Sequence, residues 1–227
     1  MNTVKITLIA DTHRRENLAE IPKCDILILG GDYDVRYELD IEILDDWIKG
    51  QPAEKVICIA GNHDFAMQNI GKKKVQSLLK HAIYLEDESV EIEGIKFWGH
   101  PWTPIFFDWA FLLNDKEMEK KVDAIPDDVD VLISHGPPYG IVDQLRMANG
   151  SLGQSIGCVA LRDTIKKRIK PAIVVCGHIH EAYGYYYDRQ THFFNASFMD
   201  ELYSPVNKPI IIDIHKVKDK IIFGGIR

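Results

Sequence analysis

Five apolar runs in this chain each stop at a polar tip, and that repetition limits the folds open to it. Residues 4–10, 25–29, 55–60, 129–134 and 172–176 are short and rich in Ile, Val and Leu, the signature of buried strands. They end in Asp11 and His13, in Asp32, in Asn62, His63 and Asp64, in His135, and in His178 and His180. Between the second and third runs, Leu39, Ile43, Leu44, Trp47 and Ile48 fall at helical spacing over 38–49, and Gly50 with Pro52 stops that helix. Strand and helix in alternation mark βαβ units and a largely parallel sheet.

Further helices are expected over 72–81, 115–122 and 158–170. An antiparallel hairpin is expected over 89–93 and 95–98, with Gly94 at its turn. Residues 140–157, rich in glycine, read as a mobile loop, and 183–187, 192–195, 209–214 and 220–223 as short strands of a second sheet. The fold class is therefore α/β with mixed pairing. At 227 residues and 46% apolar, the chain suits a single domain, 1–227.

In open α/β sheets, binding sites lie beyond the carboxyl ends of the strands, so the five tips should converge. A lone histidine after a strand usually serves packing; five separate strand-tip placements of metal-competent side chains point elsewhere. Together Asp11, His13, Asp32, Asn62, His135, His178 and His180 offer nitrogen and oxygen donors, with no cysteine at ligand spacing. That set exceeds a four-coordinate zinc site and suits two divalent cations sharing a carboxylate. Such a pair makes a bridging water more acidic and stabilises both oxygens of an in-line displacement at phosphorus. Manganese is the first choice of metal, with Fe, Zn and Co also suited to these donors.

Composition narrows the partners. A net charge of -7 and a pI near 5.7 argue against a nucleic-acid or anionic-membrane surface, but not against a phosphate bound beside cations. Cys24, Cys58, Cys158 and Cys176 show no CxxC spacing and read as buried free thiols. With no run near the ~20 apolar residues of a spanning helix and no secretory leader pattern, a cytoplasmic location is expected. The aromatic stretch 100–113 could pack on the core, wall a substrate pocket or join copies into a homo-oligomer.

The blocks Asp11-x-His13, Gly31-Asp32, Gly61-Asn62-His63-Asp64, Ser134-His135-Gly136 and Gly177-His178-Ile179-His180 resemble, in order, the five signatures of the calcineurin-like metallophosphoesterases. Pro101-Trp102, Asp108-Trp109, Gly157-Cys158 and Asn195-Ala196-Ser197 resemble one subgroup, the small metallophosphoesterase-domain-containing phosphodiesterases. The resemblance implies a four-layer α/β/β/α sandwich of two mixed sheets flanked by helices. It implies that Asp11, His13 and His180 bind one metal, that Asn62, His135 and His178 bind the other, and that Asp32 bridges them. A metal-bridging hydroxide would attack a small phosphate ester such as a nucleotide. His63 would protonate the leaving oxygen, oriented by Asp64.

Diesters lead, with monoesters as further substrates. One departure from the subgroup is Tyr33-Asp34-Val35-Arg36 after Asp32. Arg36 is reminiscent of the phosphate-gripping arginine of Ser/Thr protein phosphatases, and Arg15 matches a subgroup arginine; with Asn62 they are the candidate substrate contacts. The competing expectations are a Ser/Thr phosphoprotein phosphatase and a non-catalytic scaffold of the same fold.

Overall fold

The computed structural model describes residues 3–147, 150–217 and 220–227. Parallel strands β1 (Thr3–Ile9), β2 (Cys24–Leu29), β3 (Ala53–Cys58) and β4 (Ile83–Tyr84) form the centre and one edge of a first sheet. The hairpin of β5 (Glu88–Ile92) and β6 (Ile95–His100) begins a second sheet. A short parallel pair, β7 (Thr103–Pro104) and β8 (Leu112–Leu113), lies apart from both sheets. The second sheet continues through β9 (Val131–Ser134), and a separate ribbon of β10 (Gln144–Arg146) and β11 (Leu152–Ser155) follows. Strands β12 (Ile173–Cys176), β13 (Gly184–Tyr187) and β14 (His192–Asn195) complete it, in the order β13-β14-β12-β9-β6-β5. The chain then returns to the first sheet through β15 (Ile210–Val217) and β16 (Lys220–Ile226), giving the order β16-β15-β1-β2-β3-β4.

Side chains alternate across each strand, and that parity builds the layers. Ile6, Leu8, Ile26, Ile28, Ile57 and Ile59 face inward and meet Phe97, Val131, Ile133, Val175 and Phe194 of the second sheet. The opposite face of the first sheet, with Ile9, Leu27, Leu29, Val56 and Cys58, packs on α1 (Glu38–Lys49), α2 (Phe65–Ile70) and α3 (Lys72–Leu78). The outer face of the second sheet, with Leu132, Val174 and Phe193, packs on α4 (Asp115–Asp123) and α5 (Val159–Thr164). The result is the expected α/β/β/α sandwich. Truncating a fully buried Leu or Ile in these layers to Ala would cost about 2–5 kcal/mol.

Three expectations change. Residues 210–217 and 220–226 join the first sheet, not the second. Their register, Val4 opposite Ile214 and Ile6 opposite Ile212, sends Ile210, Ile212 and Ile214 into the core between the sheets. Alternation was visible in the sequence; the choice of partner strand was not. The glycine-rich stretch 140–157 contains the β10–β11 ribbon, and its residues 148 and 149 lie outside the described residues. The helix expected over 158–170 is α-helical only to Thr164, then widens into a π-helical turn over Ile165–Ile169 that ends at Lys170 in a left-handed conformation.

All four cysteines are buried and unpaired. Among the described residues, no helix is long and apolar enough to cross a membrane.

Candidate metal centre

The tips of β1, β2 and β3 meet those of β9 and β12 where the two sheets touch. There the Ala10 N–H donates to the Ala196 carbonyl (2.9 Å), and the Phe198 N–H to the Ala10 carbonyl (2.8 Å). Turning sharply off the strands forces non-glycine residues into left-handed backbone: φ is 53° at Asp11, 43° at His13, 60° at Asp32, 60° at Asp34 and 69° at His178. Each such residue costs on the order of 1–3 kcal/mol and persists only where its surroundings hold it. Here the His178 N–H donates to the Asp11 carboxylate (2.9 Å), and the His63 N–H to Asp32 Oδ1 (2.8 Å). Gly61 and Gly177 let the backbone pass beneath these carboxylates. A Cβ on either would lie 2.2 Å from an Asp32 or Asp11 oxygen.

Two clusters result. In the first, His180 Nε2 lies 3.3 Å from His13 Nε2 and 3.7 Å from Asp11 Oδ1. In the second, His135 Nε2 lies 2.9 Å from Asn62 Oδ1 and 3.3 Å from Asp32 Oδ1, and His178 completes the group. The other Asp32 oxygen, Oδ2, is 3.9 Å from His13 Nε2, so this carboxylate reaches toward both clusters.

The tautomers show what these groups are able to bind. Nδ1 of His135 lies 3.0 Å from the Gly30 carbonyl and Nδ1 of His180 lies 2.9 Å from the Asp200 carbonyl. A carbonyl only accepts, so Nδ1 carries the proton and each neutral ring aims an Nε2 lone pair into its cluster. Lone pairs of imidazole, carboxylate and amide then converge with no hydrogen between them. A divalent cation resolves that arrangement, and the N/O donor set fits one.

Without a cation, protons must do the work. Although burial opposes it, the charge of Asp32 lifts His135 to about 9, and the hydrogen bond and charge of Asp11 lift His180 to about 9. Burial and the His135 charge push His178 down to about 3. Burial would raise Asp32, but His135, His63 and His13 hold it far below the ordinary carboxylate range.

Beside the first cluster stands His63. Its Nδ1 lies 2.9 Å from Asp34 Oδ1, its ring stacks on Trp109 with centroids 4.2 Å apart, and Asp34 Oδ2 is 3.2 Å from His13 Nδ1. Burial opposes protonation of His63, but the Asp34 hydrogen bond and the Asp32 charge raise its pKa.

Asp64 does not orient this ring. Its two oxygens accept the N–H groups of Gly61, Asp32, Tyr33 and Val35 at 2.8–3.3 Å, tying the β2 and β3 tips together. Arg15 and Arg36 are exposed on the surrounding loops, and the Arg36 backbone N–H donates to Asp40. The remaining expected residues, Asp11, His13, Asp32, Asn62, His63, His135, His178 and His180, all come together.

Sequence reading missed three contributors. Asp34 was visible only as a departure from the subgroup pattern. Ser197, whose hydroxyl donates to Asp11 Oδ2 at 2.6 Å, stood inside the quoted Asn195-Ala196-Ser197 block without a role. Tyr203, whose ring lies 4.8 Å from that of His13 and 5.0 Å from that of His180, gave no signal, since it follows no apolar run and stands in no signature block.

Comparison with known proteins shows the family and the fold. The sequence model of the calcineurin-like phosphoesterase family matches residues 4–182, and the chain belongs to that family. It is a metal-dependent phosphoric ester hydrolase. It is 35% identical over 234 residues to human metallophosphoesterase domain-containing protein 1, covering 92% of this chain and 71% of that protein. A Caenorhabditis elegans UPF0046 protein is 31% identical over 230 residues, covering 94% of this chain and 82% of its own length. A solved crystal structure with 16% identity shares the fold, at a TM-score of 0.61 over 98% of each chain.

Proposed function

We propose that this single-domain chain hydrolyses small phosphodiesters at a pair of divalent cations. Asp11, His13 and His180 would hold one ion, and Asn62, His135 and His178 the other. Asp32 would be shared. What carries this reading is the position of the Asp32 carboxylate, with one oxygen facing the His135 lone pair and the other turned toward His13. Bound there, the cations would neutralise phosphate charge and supply a more acidic water, with Mn, Fe, Zn or Co all compatible with the donors.

The chain's own groups do the rest. The Asp34 carboxylate accepts a hydrogen bond from His63 Nδ1–H and favours the imidazolium, whose Nε2–H is then the proton given to a departing alkoxide. Trp109 keeps the ring in that plane. Ser197 holds Asp11 in place for its ion.

The preference for diesters rests on the mouth of the site. A monoester dianion calls for added positive charge, yet Arg15 and Arg36 stand exposed on the loops while Phe106, Trp109 and Tyr203 lie against the site histidines. A monoanion with two organic arms suits aromatic walls better. The exposed Arg36 likewise favours this reading over a phosphoprotein phosphatase. Free buried thiols accord with a cytoplasmic location.

The test is hydrolysis by the manganese-loaded chain. Bis-p-nitrophenyl phosphate is expected to be cleaved with higher kcat/KM than p-nitrophenyl phosphate, EDTA is expected to abolish both activities, and elemental analysis is expected to give two ions per chain. A preference for the monoester, or one ion at saturation, would overturn the reading.

A further inference from the structure

We propose that two aromatic rings at the mouth divide the organic groups of a diester between them. Tyr203 takes the group on the leaving oxygen, and Phe106 takes the group that is retained. The inference rests on the phosphodiesterase reading and adds which side of the site receives which arm.

Tyr203 overhangs the first cluster. Half exposed, its ring lies 4.8 Å from that of His13, 5.0 Å from that of His180 and 6.5 Å from that of His63. Its backbone is left-handed, with φ 57°, which a tyrosine adopts at a cost that glycine would avoid. The turn holding it there is built by Asp200. The Asp200 carboxylate accepts the N–H groups of Leu202 (3.0 Å) and Ser204 (2.8 Å), and its carbonyl accepts the N–H of Tyr203 (3.0 Å). That same carbonyl accepts Nδ1–H of His180 (2.9 Å), so one group fixes both the candidate ligand and the ring above it.

Phe106 stands at the second cluster, its ring edge-on to His178 at 5.2 Å, and the adjoining Phe107 is 89% exposed. His63, the candidate proton donor, stands on the Tyr203 side, 4.8 Å from His13 between ring centroids. A leaving oxygen must come within hydrogen-bond reach of its acid, so the group on that oxygen emerges beside His63. Trp109 is already stacked on that imidazole at 4.2 Å, and Tyr203, 6.5 Å away and half exposed, is the ring left to receive it. The retained group is left to Phe106.

Two substrates separate the arms. Methyl p-nitrophenyl phosphate carries an aromatic group only on the leaving oxygen; bis-p-nitrophenyl phosphate carries one on each. In the manganese-loaded chain, Tyr203→Leu is expected to lower kcat/KM on both esters by the same factor, about 3- to 10-fold, the size of a lost aromatic contact. Phe106→Leu is expected to lower it on the bis ester alone. Ions per chain and inhibition by inorganic phosphate should match wild type in both variants, and Tyr203→Phe, which keeps the ring, should restore wild-type rates. Unchanged rates in Tyr203→Leu, equal losses on the two esters in Phe106→Leu, or loss of ions in either variant would overturn the inference. A wild-type chain that cleaves p-nitrophenyl phosphate but neither diester would instead overturn the reading beneath it.

Discussion

Between the strand tips and the loops that overhang them, burial changes abruptly. Asp11, Asp32, Asn62 and His135 are at most 2% exposed, whereas Tyr203 is 50% and Phe107 89% exposed. The floor is held by backbone N–H groups, neighbouring carboxylates and glycines that admit no Cβ; the rim is held by turns and ring contacts. Such a division separates two tasks. The floor fixes the chemistry, and the rim is free to choose what is presented to it.

Removing a donor in the floor should take away ions and turnover together, and substitutions in the rim should lower turnover on the esters whose arms they touch while leaving the ions in place. The largest effect is expected from Asp32→Asn, which should bring hydrolysis to background and lower ion content by elemental analysis. A fully loaded, active Asp32→Asn chain would break the comparison. His63→Ala should retain its ions yet lose about 10²–10⁴-fold on alkyl esters, with a much smaller loss on p-nitrophenyl esters, whose leaving group needs no proton. Equal losses on the two would remove the proton-donor role. Ser197→Ala should weaken manganese affinity about 10- to 100-fold in a metal titration, because it frees Asp11 without touching a donor. Arg36→Ala, on an exposed loop, should change kcat/KM less than about 2-fold on any ester.

A pH experiment sharpens the same contrast without mutation. In the metal-free chain, His135 and His180 titrate near 9 instead of near 6.5, so above pH 6.5 the folded state holds protons that the unfolded state has released. Their contribution is complete below 6.5 and drains away as pH rises through 9. Thermal melts of the metal-free chain should therefore fall across that window. With manganese bound the trend should weaken or reverse, because metal ligation requires the deprotonated rings. Identical profiles with and without metal would mean that the floor histidines do not hold the ion.

How much of this was legible follows from the same division. Strand parity and a polar residue at each strand end are local facts, so Asp11, Asp32, Asn62, His135, His178 and His180 could be read directly. Asp64 misled because its nearness in sequence to His63 suggested contact, while its carboxylate turns back to four amides. Asp34, two residues beyond Asp32, reaches the ring only because the β2 tip runs left-handed there, a conformation that no propensity announces at an aspartate. The pairing of β15 with β1 was hidden for another reason: alternation names a face and leaves the neighbour unnamed.

That last pairing also bears on how the molecule is made. Leu8 lies opposite Ile210, so β1 meets its antiparallel neighbour about two hundred residues later in the chain. Until 210–226 have been translated, β1 has one open side, and the wall of its sandwich that carries Asp11 is unfinished. Contacts this distant slow folding and leave a nascent edge exposed to strangers. A chain of this design should lean on holding chaperones early, and should gain its affinity for metal only when that ribbon has docked.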